Sequence, residues 1–196
     1  MRNLLIGIAA IVVLGLIGFS WFTGKYDTMV AMEEEVNASW ANVEAQYQRR
    51  ADLIPNLVST VKGYAAHEKE ALTAVIEARA KATSVNIDPS NMTAQDIQNF
   101  NGAQTGLASA LSKLMVVVEK YPDLKANQNF LQLQAQLEGT ENRISVARTR
   151  YNDTSKEYNR YIKGFINKFI ASSNGFEEKP YFEAKEGTDV APEVKF

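Results

Sequence analysis

A chain of 196 residues with a net charge of −2 and a pI near 5.6 has no basic field to hold nucleic acid, so no nucleic-acid partner is expected. It contains no cysteine, which excludes disulfides, thiolate nucleophiles, thiolate metal sites and lipoprotein attachment, and leaves either side of a membrane open as its compartment. Beyond an apolar N-terminus, the remainder is one domain's worth of sequence, ample for a substantial core.

From Asn3 to Gly24 no side chain is charged, and Leu4–Phe22 (LLIGIAAIVVLGLIGFSWF) is apolar almost throughout. As a helix this stretch rises about 28 Å, close to the hydrocarbon thickness of a bilayer. Arg2 and Lys25 bracket it, and Trp21, Phe22 and Tyr26 stand where an aromatic belt meets the headgroups. A cleaved signal peptide fits less well, because its apolar core usually runs about 7–15 residues and ends in an A-x-A-like site. Residues 1–24 therefore read as a retained transmembrane anchor. Arg2 and the α-amine precede the span and only Lys25 follows closely, a small bias that keeps the N-terminus inside and the domain outside.

After the anchor everything reads as helix. Met29, Val36 and Val43 recur every seven residues, interleaved with Trp40, Tyr47 and Ile54. Pro55, in ADLIPNLV, predicts that this helix ends or kinks near Asp52, with a second running from about Pro55 to Thr83. Val85–Asn91 reads as a linker, and Thr93 with Asp96 as a capping arrangement for a third helix. In that helix Ile97, Gln104, Leu111 and Val118 form one row, and Phe100, Leu107, Leu114 and Tyr121 another. Pro122 ends it and opens a fourth helix reaching to about Ser172, with the row Phe130, Leu137, Ile144, Tyr151, Tyr158 and Phe165. Leu114, Leu137 and Ile144 are expected in the deep core. Asn174–Gly175 suits a C-terminal cap. A sustained seven-residue repeat predicts helices packed side by side with left-handed supercoil.

The expected architecture is all-α: the anchor, an antiparallel up-and-down four-helix bundle over 25–175 with heptad-like packing, and an acidic, mostly disordered tail over 176–196. The start of that tail is expected to dock through Phe176, Tyr181 and Phe182.

The strings QRRADLIPNLVSTVKGYAAHE (48–68), LSKLMVVVEKYPDLKAN (111–127) and FLQLQAQLEGTENRISVARTRYN (130–152) resemble the LemA family. The resemblance covers nearly the whole chain. It implies a bacterial protein with one N-terminal membrane helix and a helical domain, hence a single-pass protein of the bacterial inner membrane. It implies no established enzymatic activity. Phe165-Ile166 departs from the Phe-Pro expected there, which leaves the end of the fourth helix open.

The catalytic inventory is sparse. His67 is the only histidine, and with Glu70 it falls far short of the carboxylate and Glu-x-x-His set of a bundle metal site. Glu138 and Glu141 share a face, but Glu141 belongs to a row with Gln134 and Arg148 that reads as a polar stripe between helices. No GxSxG, HExxH or phosphate-cradling glycine loop is present. Gly102 and Gly106 have GxxxG spacing, which in a soluble helix serves close packing. No enzyme, metal or cofactor is expected.

Two surfaces are candidates for binding. A straight fourth helix would overshoot the membrane end of the bundle, so a weak point at Asn152–Asp153 is expected, followed by an amphipathic run. Tyr158, Tyr161, Ile162, Phe165 and Phe169 with Lys163 and Lys168 have the composition of a helix in a bilayer interface, unless the same face packs on the bundle or a second subunit. At the far end, turns at Asp52, Pro55 and Asn56 and at Tyr121, Pro122 and Asp123 are expected to converge, tied by an Arg50–Glu119 ion pair. That tip is either a partner surface or no more than two proline turns and their caps. The expected function is a membrane-anchored, non-enzymatic interaction or scaffold protein, whose partners are the lipid bilayer and an unidentified protein or a second copy. The alternative is a ligand-sensing bundle that signals through a membrane partner.

Overall fold

The structure, a computed structural model, describes residues 2–183, and every regular element among them is helical. Helix α1 spans Arg2–Tyr64, α2 Lys69–Ser84, α3 Ala94–Val118, α4 Pro122–Lys125, α5 Gln128–Ile162 and α6 Phe165–Asn174, with a short 3-10 turn at Pro89–Asn91. Helix α1 is long and apolar enough to cross a membrane, and its apolar part, Leu4 to Phe22, is exposed throughout. It continues into the folded region without interruption.

Of the two expected outcomes at Pro55, an end or a kink, the end is absent. Proline removes the N–H that would bond the carbonyl four residues earlier, here that of Ala51. In this chain Arg79 of α2 supplies the missing donor, its Nε reaching the Ala51 carbonyl at 2.7 Å. Helix α1 therefore runs through Pro55 and ends at Tyr64, and the reversal lies at 65–68. The second helix is correspondingly short.

The C-terminal half is also divided differently. Helix α5 passes through Asn152–Asp153 unbroken and stops at Ile162. The break falls at Gly164, where the backbone turns extended and a Cβ would sit 3.2 Å from the Tyr161 carbonyl. Asn167 Nδ2 donates to that carbonyl at 2.9 Å, beside the Gly164 N–H that reaches the same oxygen at 3.2 Å. Elsewhere the caps fall as expected. Thr93 and Asp96 form a reciprocal capping box, and Gly175 closes α6 with a left-handed φ of 78°.

Most members of the seven-residue rows are buried, but Leu111, Tyr121 and Leu137 are only partly so and Phe165 is exposed. Helix α5 runs antiparallel to α1 from Lys25 onwards, with Lys25 against Tyr161, Ser39 against Thr154 and Arg50 against Glu141. Helices α2 and α3 pair with each other, and α2 packs on α1. One core cluster gathers Met29, Trp40, Tyr47, Phe100, Ile144, Tyr151, Tyr158 and Phe182, and the other Ile54, Leu57, Leu107, Leu114, Leu124 and Phe130. Leu137 is only partly buried, at the margin of the second.

Residues 176–183 dock as an extended strap running antiparallel to α5. Asn159 bonds both the N–H and the carbonyl of Lys179, at 2.9 and 2.8 Å, and Asn152 does the same for Phe182, at 2.9 Å each. Phe182 is buried beside Trp40, Phe176 is half-buried against Tyr26, and the half-exposed Tyr181 takes a hydrogen bond from Asn159. The rest of the expected disordered tail, 184–196, lies outside the described residues.

Candidate membrane-facing and distal surfaces

The distal end is built from different residues than the proline spacing predicts. Because α1 continues to Tyr64, Asp52, Pro55 and Asn56 lie on the side of the helix wall, with Asp52 about 18 Å short of its end. The turn at 65–68 takes their place. Tyr121 donates to Glu68 at 3.0 Å, which raises the pKa of the phenol, and Asn127 donates to the Tyr64 hydroxyl at 2.9 Å. Leu124 plugs this end from inside, fully buried. Glu119, Tyr121, Pro122 and Asp123 do sit here, and His67 is exposed in the neighbouring turn.

Glu119 pairs with Lys125 at 2.6 Å, not with Arg50. Arg50 is buried mid-wall, where it bonds Glu141 at 2.9 Å and the Gln104 side-chain oxygen at 2.7 Å, its guanidinium 5.0 Å from the centre of the Tyr47 ring. Arg50, Gln104 and Glu141 thus form a polar layer between the two core clusters, whereas Gln134 bonds Glu138 and Arg148 lies over the Phe182 ring. Beside it runs an open groove of about 520 Å³ lined by Glu44, Tyr47, Gln48, Phe100 and Gln104. Burial raises the pKa of the Glu44 carboxyl.

At the proximal end the expected interfacial residues divide into three groups. Tyr158 and Ile162 are buried in the core, and burial drives the Tyr158 phenol well above its ordinary range. Their place on α5, before the break, explains this, since the seven-residue row holds until the helix stops. Tyr161 is half-buried with the Lys25 ammonium 5.5 Å from its ring centre, and Lys163 pairs with Glu178 at 2.8 Å. Phe165, by contrast, is 87 % exposed and Phe169 66 %. Their rings meet edge to face at 6.1 Å, with Lys168 exposed between them along α6. Phe165 belongs to the sequence row but lies past the break, which turns it outward.

Sequence reasoning missed the residues that hold the strap. Lys179 is buried, and its ammonium pairs with Glu33 at 2.7 Å. The available signal was the spacing of Asn152 and Asn159, poor helix formers seven apart, each directly after a tyrosine of the buried row. Among the described residues, no three histidine or carboxylate side chains come together as metal ligands.

The model of the LemA family matches residues 39–196. Relatives include the magnetosome protein MamQ of Magnetospirillum gryphiswaldense, 26 % identical over 206 residues, covering 94 % of this chain and 76 % of that protein. Magnetosome protein MamQ 2 of Paramagnetospirillum magneticum is 27 % identical over 183 residues, covering 85 % and 67 %. Protein LemA of Metamycoplasma hominis is 28 % identical over 179 residues, covering 90 % and 76 %. With a family model spanning most of its length, and a helical fold to match, the chain belongs to the LemA family.

Proposed function

We propose that the protein is a membrane-anchored, non-enzymatic interaction scaffold. In this reading it is a single-pass protein of a bacterial inner membrane, its domain on the outer face and its helices packed as an up-and-down four-helix bundle with coiled-coil-like seams. The observation that carries the reading is the continuity of α1: the apolar span and the central core helix are one rod from Arg2 to Tyr64. A hinge between anchor and domain would let the domain tumble. A continuous helix holds the distal end at a set height, about 60 Å beyond Lys25. The partner surface is that distal end, composed of Tyr64, His67, Glu68, Glu119, Tyr121 and Asp123, and its occupant is another protein or a second copy.

A photo-crosslinking amino acid placed in the full-length protein in intact membranes tests this. Positions His67 and Asp123 are expected to give the same discrete adducts, whereas Asn56, on the helix wall, gives none of them. Equal labelling from all three positions would refute a partner site at the tip. A second reading, ligand sensing, is favoured by one observation: the groove beside Arg50 brings a half-buried carboxyl together with two aromatic rings. Ligand-dependent protection of Phe100 and Gln104 from hydrogen exchange would select it.

A further inference from the structure

We propose that α6 is a second membrane contact, its Phe165–Phe169 face inserted into the leaflet from which α1 emerges. The inference rests on the reading of α1 as a membrane anchor. Three observations carry it. The first is register: Lys25 of α1 stands against Tyr161 of α5, and α5 runs antiparallel towards the membrane. Gly164, three residues further on, descends about 4–5 Å to the level of Trp21 to Lys25. Helix α6 therefore starts at the depth where the apolar run of α1 ends, the zone in which aromatic side chains favour the interface.

The second observation is how α6 is held. Ile170 and Ala171 are buried in the proximal core cluster, and Phe176, just beyond the helix, packs on Tyr26 of α1. One side is thus fixed to the bundle foot, and the helix is bonded at both ends, by Asn167 to the Tyr161 carbonyl and by the Gly175 cap. The third is what the other side presents. Phe165, Phe169 and Ser172 recur at helical spacing with Lys163 and Lys168, around a shallow groove, and Ile166 adds a further half-exposed apolar chain. Two adjacent phenyl rings facing water on a well-anchored helix need an occupant. Continuity with the apolar span makes that occupant lipid: the exposed rings prolong the anchor's own apolar surface sideways. Lys168, beside them, can reach headgroup phosphates.

The absence of cysteine allows a clean test in the full-length protein, reconstituted in vesicles of phosphatidylcholine and phosphatidylglycerol. Single nitroxide labels are placed at Ile166→Cys (α6), Val13→Cys (the span) and Lys120→Cys (the distal end). Collisions with dissolved oxygen should exceed those with a water-soluble nickel chelate severalfold at 13 and 166, with the order reversed at 120. Adding Phe165→Ser and Phe169→Ser should return the label at 166 towards the aqueous ratio while the helical melt stays unchanged. An aqueous ratio at 166 beside a lipid ratio at 13 overturns the α6 proposal alone. An aqueous ratio at 13 overturns the anchor reading beneath it. Dipolar broadening at 166 that disappears on dilution with unlabelled protein would place a second copy on this face, and would likewise overturn the proposal.

Discussion

Below the Arg50 layer the core is aromatic and stitched with hydrogen bonds; above it the core is aliphatic and closed by turns. In the proximal part Trp40 lies within 6 Å of the rings of Phe100, Tyr151 and Phe182, which come from three separate segments. The strap is fastened by asparagine amides and by the buried Lys179–Glu33 pair. In the distal part Leu57, Leu107, Leu114 and Leu124 are fully buried with no polar partner to satisfy. Aliphatic packing is tolerant: volume and pattern suffice. A network that includes buried amides and an ammonium is specific, because every unmet group costs free energy. The end nearer the apolar span is therefore the one where exact placement matters more, although the Trp40 Nε1, Ser155 Oγ and Tyr158 hydroxyl buried there have no hydrogen-bond partner among the described residues.

Cavity formation gives the sharpest contrast. Trp40→Ala should cost about 3–5 kcal/mol and Leu114→Ala about 2–5 kcal/mol. Trp40→Phe should recover little, since three neighbouring rings pack on the indole, whereas Leu114→Met should recover most of the loss. Chemical denaturation of both pairs checks this, and equal recovery at the two sites would erase the distinction between the clusters.

Next in size is the strap. Asn159→Ala leaves the buried N–H and carbonyl of Lys179 without partners, a loss of about 1–3 kcal/mol for each group. Hydrogen exchange should accelerate around Trp40 and Tyr158 while the amides near Leu114 keep their protection. Uniform acceleration would show that the two halves unfold as one unit.

The layer between them is the third target. Arg50→Met keeps the aliphatic stem but strips the Gln104 side-chain oxygen of its donor, and should cost about 1–3 kcal/mol. Glu141→Gln should cost less, because Glu141 is mostly exposed and glutamine still offers an acceptor.

Legibility in the sequence divides along the same line. The rows through Met29, Trp40, Leu107, Leu114, Ile144 and Tyr151 were readable because burial follows the helical period alone. So were the Thr93 capping box and the Gly175 cap, whose chemistry is local. What failed was long-range. Pro55 alone leaves an end or a kink open, and what lets the helix continue is Arg79, 24 residues later, which meets the carbonyl that the proline orphans. An ion pair of Arg50 was legible, yet its partner is Glu141 on α5 rather than Glu119 at the turn, because the turn itself had moved to 65–68. The strap was legible as three aromatic residues, but its clamps were not, since the spacing of Asn152 and Asn159 does not say which backbone groups their amides meet.

The Pro55 compensation is itself measurable, at about 1 kcal/mol, the size of a single hydrogen bond. Arg79→Met should destabilise the chain that contains Pro55. In a Pro55→Ala background the Ala51 carbonyl regains a helical donor, and the same change should be nearly silent. Urea titrations of the four proteins form a double-mutant cycle, and a coupling energy near zero would mean that Arg79 is not what lets α1 continue.

The smallest effect is pH-dependent and local. The Asp96 carboxylate is held below its usual range, first by the Thr93 hydroxyl and then by the Thr93 backbone N–H. A depressed acid pKa means that the carboxylate's contribution to the cap is fully present above the unfolded value. It is lost as pH falls through the lower, folded value. Acidification below about pH 4 should therefore fray the first turn of α3 before the core responds, because the group is exposed and its linkage weak. The amide of Ile97, which bonds the Thr93 carbonyl, is the reporter. Once corrected for intrinsic acid dependence, its protection against exchange should drop on acidification in the native chain. Thr93→Ala, which removes the hydroxyl donor, should move the onset of that drop to higher pH. An identical profile in both proteins would mean that the Thr93 hydroxyl does not set the carboxylate's pKa.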